Sequence, residues 1–197
     1  MKPKMFLKLG RVAAFAAVLV LGASRAYPAA DAGSGPHVVL IIRHAEKPDD
    51  SDGKKDPNLS PKGYRRAAAL ATVIPEDFPK PAFLFATKET KKSDRPVETI
   101  TPLAAALHEP IDSDFKDDDV DPLAHELLTD AKYDHAVVLI AWHHEKIPDL
   151  AKALGVKNAP DHWDSTVFDR VWKITYKDGV ATFENLPEKA LPGDSQN

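Results

Sequence analysis

Apolar residues in this chain are concentrated in three short runs, and each run ends abruptly in polar or charged residues. The runs are Val38-Val39-Leu40-Ile41-Ile42, residues 82–86 and residues 136–142. Unbroken apolar runs of this length are typical of strands buried on both faces, as in a parallel sheet. Each run precedes a turn-forming segment and then a helical pattern. The chain therefore predicts strands that alternate with helices.

The helices are marked by caps and prolines. Ser60 and Pro61 suit the N-cap and first turn of a helix over residues 62–74. Gly63 lowers the helix propensity of that first turn, which a close approach of backbone or ligand would explain. Other segments predict a helix from Ser93 or Asp94 to about 107, a short strand over 111–115, and helices over 122–129 and 148–154.

The end of the chain follows a different pattern. Residues 168–176 alternate between apolar and polar, Lys177-Asp178-Gly179 forms a turn signal, and residues 180–183 return as a second strand. We expect this hairpin to form an antiparallel edge on an otherwise parallel, doubly wound sheet. The predicted fold class is α/β, a three-layer α/β/α sandwich.

The first 26 residues have the layout of a secretory signal peptide. A basic region with Lys2, Lys4, Lys8 and Arg11 precedes an apolar stretch over 12–21 and a small-residue end. The apolar stretch is shorter than the roughly 20 residues of a spanning helix. We expect cleavage after Ala26, or alternatively after Ala32, and a periplasmic or secreted protein without stable membrane insertion. An uncleaved anchor is the other interpretation.

The predicted segments are a signal peptide over 1–26, a linker over 27–36, one domain over 37–192 and a tail over 193–197. Loss of residues 1–26, which contain five Lys/Arg and no acid, changes the formal charge from −4 to −9. We therefore expect no nucleic-acid partner. The chain contains no cysteine, which excludes a thiolate nucleophile, a Cys-ligated zinc site and disulfides.

Phosphate-binding side chains follow the predicted strands. Arg43 and His44 come at the end of the first strand, Arg95 follows the second, and His143 follows the third. The carboxyl ends of parallel strands meet at one edge of a sheet, where ligands bind. Guanidinium and imidazole groups gathered there predict a pocket for a dianionic tetrahedral group.

Four motifs, in order, resemble those of the histidine phosphatase superfamily, the phosphoglycerate-mutase-like group, in its branch with an Arg-His-Ala-Glu motif. The motifs are Arg43-His44-Ala45-Glu46, Leu59-Ser60-Pro61-Lys62-Gly63, Arg95-Pro96-Val97-Glu98-Thr99 and Ala141-Trp142-His143-His144. The resemblance covers residues 37 to about 192.

This resemblance implies a phosphatase that hydrolyses a phosphomonoester or phosphoanhydride through a phosphohistidine on His44. It implies that Arg43, Arg95 and His143 bind the phosphate oxygens. His144 departs from the pattern, since the family often has a small or acidic residue there, and it is a further candidate for substrate binding. These groups require no cofactor or metal. The leaving-group acid has no matching motif. The candidates, in order, are Glu46, His144 and the acidic run over residues 117–121.

Alternative interpretations stay open at this point. The same residues fit a phosphomutase, or a non-catalytic phosphate-binding or interaction protein on the same fold. His143 and His144 could belong to a metal site, and Glu46 could merely pair with Lys47 or a helix end. Three loop lysines could attract an anionic substrate or simply be solvated: Lys88, Lys91 and Lys92. The expected partner is a small phosphorylated substrate, and the sequence assigns neither its identity nor the oligomeric state.

Overall fold

The protein is built on one six-stranded sheet. The computed structural model describes residues 35–49 and 56–197. The strands are β1 (Val38–Arg43), β2 (Phe83–Ala86), β3 (Ile111–Asp112), β4 (Val137–Trp142), β5 (Arg170–Lys177) and β6 (Val180–Pro187). Their order across the sheet is β3-β2-β4-β1-β5-β6. β1 to β4 run parallel, whereas β5 and β6 are antiparallel, which confirms the predicted fold class and C-terminal hairpin.

Helices cover both faces of this sheet. They are α1 (Pro61–Asp77), α2 (Arg95–Leu107), α3 (Val120–Thr129) and α4 (Ile147–Ala153), with a 3-10 turn at Ala131–Tyr133. On one face, α1 and α2 contribute Leu70 and Ile100 to an apolar layer. On the other, α3 and α4 contribute Leu127 and Leu150. The three predicted layers are therefore present.

The unbroken apolar sequence of β1 is explained by its central place in the sheet. Val39 and Ile41 pack toward α3 and α4, while Leu40 and Ile42 pack toward α1 and α2. All four side chains are fully buried. Burial of each such side chain stabilises the fold by about 1.5–3 kcal/mol, so polar substitution here would destabilise the strand that carries Arg43 and His44.

Several element boundaries differ from the prediction, among them those of α1 and β3. The first helix was expected to end at residue 74, but α1 continues through Pro75 to Asp77. Proline removes only one helical hydrogen bond here, and its fixed φ is compatible with a last turn. The strand expected over 111–115 is limited to the two residues of β3, which pair with β2 at the sheet edge.

The predicted signal peptide over 1–26 lies outside the described residues, as does the linker apart from its last two residues, Gly35 and Pro36. Within residues 35–49 and 56–197, no helix combines the length and the apolar composition needed to cross a membrane.

Candidate active site

The pairing of β1 with β4 brings the two motif histidines together. Arg43, the last residue of β1, lies beside Trp142, the last residue of β4. The His44 N–H then donates to the Trp142 carbonyl at 3.0 Å, which extends the pairing by one residue. The His44 and His143 rings meet edge to face, with centroids 5.1 Å apart.

The hydrogen bond of the His44 ring fixes its tautomer. His44 Nδ1 lies 2.8 Å from the Ala45 carbonyl oxygen. Because a carbonyl oxygen only accepts, Nδ1 carries the proton and Nε2 keeps its lone pair. Burial lowers the pKa of His44 well below its usual value, and the positive charges of Arg43 and Arg95 act in the same direction. The ring is therefore neutral at physiological pH, and the lone pair of Nε2 is available for bonding.

Arg43 is held in place by the loop that precedes β5. Its Nη1 donates to the carbonyl oxygens of Ser165 at 2.6 Å and Val167 at 3.0 Å. Its guanidinium carbon lies 3.8 Å from the centre of the Phe168 ring. Burial lowers the pKa of Arg43 to about 10, so the side chain stays cationic at neutral pH. No local pattern in the sequence predicts that Phe168, at the beginning of the strand expected over 168–176, contacts this arginine.

Arg95 and His143 line one cavity of about 370 Å³. Arg95 Nη1 donates to the Asp56 carbonyl at 2.8 Å. Burial, with the charge of Arg95 as the next cause, lowers the pKa of His143 to about 4. The imidazole is therefore neutral in this structure, and it can donate an N–H to a bound oxyanion.

The loop after His44 is held from α2 by Thr99. The Ala45 N–H donates to Thr99 Oγ1 at 2.8 Å, and that hydroxyl donates to the Arg95 carbonyl at 2.7 Å. This geometry explains the spacing of the Arg-x-x-x-Thr motif, because one helical turn connects Arg95 to the backbone beside His44. The sequence alone predicted no role for the Thr99 hydroxyl.

Solved structures of other proteins have the same arrangement of strands and helices as this chain. Phosphoglycerate mutase from Bacillus anthracis is 16% identical, with 81% of this chain and 96% of that chain covered at a TM-score of 0.53. The protein histidine phosphatase SixA complexed with tungstate is 18% identical, with 77% and 97% covered at 0.55. Phosphoserine phosphatase from Entamoeba histolytica, in complex with phosphoserine, is 12% identical, with 78% and 98% covered at 0.55.

The chain has the histidine phosphatase fold. The resemblance stated from the four motifs is thereby confirmed at the level of the fold. No protein-family model and no curated protein sequence matches the chain.

Within this histidine phosphatase fold, Glu46 is bound by two basic side chains of α1. Its two carboxylate oxygens accept from Arg66 Nε at 3.0 Å and Nη2 at 2.9 Å, and Lys62 Nζ lies 3.0 Å away. Although burial opposes the shift, these hydrogen bonds lower the pKa of Glu46. A carboxylate kept ionised by two cations cannot readily supply a proton. The structure therefore does not support Glu46, the first candidate from the sequence, as the leaving-group acid.

The C-terminal segment completes the Arg66 cluster. Arg66 Nη1 donates to Glu188 Oε1 at 2.7 Å, and Arg66 Nη1 and Nη2 donate to the two Asp194 oxygens at 2.8 and 2.9 Å. Burial raises the pKa of Glu188 to about 8, while the Arg66 charge opposes the shift. Asp194 lies within the predicted tail over 193–197, and the structure packs it into the domain.

Asp117 is the acidic-run residue that lines the cavity with Arg95 and His143. Burial, with the nearby charges of Glu145 and Asp118 as smaller causes, raises its pKa to about 6. Its Oδ1 is buried without a hydrogen-bond partner among the described residues. A carboxyl that is partly protonated near neutral pH has the property required of a general acid.

His144 lies away from this cavity. Its Nδ1 lies 2.9 Å from Glu145 Oε2. Burial lowers the pKa of His144, and the charge of Arg43 is the next cause. The described part of the chain contains no group of three or more His, Asp or Glu side chains arranged to hold a metal ion.

Proposed function

We propose that the protein is a phosphatase that hydrolyses a small phosphomonoester or phosphoanhydride through a phosphohistidine on His44. One observation carries this proposal: the Nδ1 hydrogen bond to Ala45 leaves an unprotonated Nε2 on a buried ring that contacts His143 and is close enough to Arg43 and Arg95 for their charges to lower its pKa. The fold agrees with the proposal, since solved proteins with this fold include enzymes described as phosphatases.

In the first step, His44 Nε2 attacks phosphorus and the bond to the leaving oxygen breaks. The developing charge on the equatorial oxygens is stabilised by Arg43, Arg95 and the N–H of His143. Phosphoryl transfer depends mostly on positioning and on such charge stabilisation. The fixed orientation of Arg43 on two carbonyls and the Phe168 ring reduces the reorganisation needed when phosphate arrives.

Asp117 is our candidate for the leaving-group acid. Its carboxyl donates a proton to the departing oxygen, so that the product leaves as a neutral alcohol. In the second step, the Asp117 carboxylate takes a proton from water, and that water attacks the phosphohistidine. The P–N bond breaks, the electron pair returns to Nε2, and phosphate departs. One residue thus serves as acid and then as base.

The residues described here perform this sequence without a metal ion, and we propose that chelators leave the activity intact. A phosphomutase would require return of the phosphoryl group to product, and a phosphate-binding protein would not require a nucleophile. Neither alternative is favoured by a particular feature of this site.

Rapid quenching of a turnover reaction with labelled phosphomonoester tests the proposal. We expect an acid-labile, alkali-stable phosphoryl adduct on His44. His44→Ala should lower kcat by about a thousandfold or more, with an unchanged thermal midpoint by circular dichroism. His37→Ala is the control, because His37 is an exposed residue outside the site. Turnover without an adduct, together with appreciable activity in His44→Ala, would contradict the proposed nucleophile.

A further inference from the structure

The cavity beside His143 contains cations that the proposed mechanism does not use. Besides Arg95, it is lined by Lys88, Lys92 and Lys116. None of these three lysines forms an ion pair with another residue of the described chain. Unpaired ammonium groups around a cavity are available to a ligand.

The backbone positions of these lysines are fixed by hydrogen bonds. The Lys88 N–H donates to the Phe115 carbonyl at 2.7 Å, which joins the loop after β2 to the loop that carries Lys116. Thr90 Oγ1 accepts the N–H groups of Lys92 and Ser93, both at 3.1 Å, in a tight turn. The two loops therefore hold the backbone of the three lysines around one cavity.

The charge of the cavity is opposite to that of the whole chain. Four cationic side chains line it, against two carboxyl groups, Asp117 and Glu145. One of those carboxyls, Asp117, is uncharged when it acts as a proton donor. The chain as a whole has a formal charge of −4. A concave positive site on an acidic protein concentrates anions at that site.

We propose that Lys88, Lys92 and Lys116 bind a second anionic group of the substrate, a phosphate or a carboxylate, while its transferred phosphoryl group lies against His44. This inference rests on the proposed function and narrows its substrate class. The substrate is then a small compound with one phosphoryl group and a further negative charge. A volume of about 370 Å³ is within the range of small-molecule pockets.

A matched series of three-carbon substrates tests this inference. 3-Hydroxypropyl phosphate, 3-(phosphonooxy)propanoate and propane-1,3-diyl bisphosphate share one alkyl phosphate. They differ at the third carbon, which carries a hydroxyl, is itself the carboxylate carbon, or carries a second phosphate. We expect kcat/KM to be at least about tenfold higher for a charged member than for the hydroxyl member, mainly through KM. The ratio of kcat/KM between the carboxylate and the bisphosphate substrate identifies which anion is preferred.

Substitution of the lysines assigns the effect to the cavity. Lys88→Gln, Lys92→Gln and Lys116→Gln should each reduce the preference for the charged substrates by about three- to tenfold. Lys91→Gln is the matched control, because Lys91 is in the same exposed turn but does not line the cavity. It should leave the preference unchanged.

The outcomes separate the inference from the proposed function. Equal kcat/KM for all three substrates, or a preference that survives the three Lys→Gln changes, would overturn the second site while leaving the phosphatase intact. No hydrolysis of any substrate would contradict the phosphatase. In that case we would measure the affinity of the wild-type protein for the same compounds by calorimetry. Equal affinities would overturn the second anion site, and tighter binding of the charged compounds would support it.

Discussion

Gly63 lies against the backbone of Glu46. A Cβ atom at Gly63 would be 2.3 Å from the Glu46 carbonyl oxygen and 3.1 Å from the Glu46 nitrogen. The same carbonyl accepts the Ser60 N–H at 2.9 Å, just before α1 begins. The first turn of α1 is therefore in direct contact with the loop that follows β1, two residues beyond His44.

Gly63→Ala should destabilise the protein and reduce activity. Alanine normally stabilises a helix relative to glycine by about 0.5–1 kcal/mol. Here the methyl group would overlap backbone, so the loop after His44 or the helix must shift, at a net cost of about 2–3 kcal/mol. Urea unfolding measures the loss of stability, and kcat measures the loss of activity. In Ala68→Gly, an exposed change on the same helix, we expect a loss of about 1 kcal/mol from helix propensity alone and wild-type kcat. A stabilised, fully active Gly63→Ala would contradict the contact.

Glu188→Gln should change how stability depends on pH. The pKa of Glu188 is about 8 in the folded protein, above its usual value of 4.5. Its protonated form therefore contributes stability that is fully present below pH 4.5 and is lost as pH rises through about 8. Glutamine cannot ionise, so the variant should lose less stability than the wild type between pH 5 and about 9.

The other carboxylates of this cluster act in the opposite direction. Arg66 helps to lower the pKa values of Glu46 and Asp194, so their stabilisation is lost as pH falls through those values. Acid unfolding should therefore persist in Glu188→Gln. Urea titrations from pH 3 to about 9 measure the free energy of unfolding in both the acidic and the alkaline range. Glu76→Gln, at an exposed position, is the control. Parallel pH curves for wild type and Glu188→Gln would contradict the assignment.

Asp117→Asn should remove a general acid and with it one limb of the pH–rate profile. With an alkyl phosphate as substrate, we expect kcat/KM to fall by about a hundredfold or more. p-Nitrophenyl phosphate, whose leaving group needs no proton, should be affected much less. Wild-type activity should decline above about pH 6, where Asp117 ionises, and this decline should be absent in the variant.

Asp118→Asn provides the control for this comparison. Asp118 is the exposed neighbour, whose carboxylate pairs with Lys146. We expect Asp118→Asn to keep the leaving-group dependence of the wild type. Its alkaline limb should also remain but move to slightly lower pH, because the Asp118 charge helps to raise the pKa of Asp117. Equal losses on both substrates in Asp117→Asn would mean that the residue positions phosphate rather than donating a proton.

We predict export with cleavage of the N-terminal segment. Its order of basic, apolar and small residues over 1–26 is the observation behind this prediction. Fractionation and intact-mass measurement should find mature protein outside the cytoplasm, beginning at Tyr27 or Gly33. Val18→Arg, which interrupts the apolar stretch, should retain full-length protein inside the cell. Full-length wild-type protein in the cytoplasm or membrane would contradict the prediction.

The sequence was most informative where a local pattern determines the structure. The apolar runs located β1, β2 and β4, and the order of motifs located His44, Arg95 and His143 at the ends or beginnings of elements. Gly63 could be recognised as unfavourable in a helix, and the structure identifies the backbone of Glu46 as the reason.

Features that depend on distant partners could not be predicted. Arg66 looks like an ordinary polar residue on an alanine-rich helix, yet it is buried against Glu46, Glu188 and Asp194. Likewise, several aspartates follow one another over 117–121, and sequence cannot tell which one is desolvated. Burial of a charged group is decided by tertiary packing, which leaves no local pattern.

Through the Arg66 cluster, the loop after His44 depends on the end of the chain for its packing. The bonds of Arg66 to Glu188 and Asp194 join residues 122 and 128 positions apart. Contacts between such distant segments require closure of long loops and depend on chain that is synthesised late. A chain that has formed only its parallel strands would hold Glu46 through Arg66 without its C-terminal partners. Ordering of the segment around Glu46, two residues after His44, should therefore be among the last events of folding, because it requires the C-terminal residues 188–194.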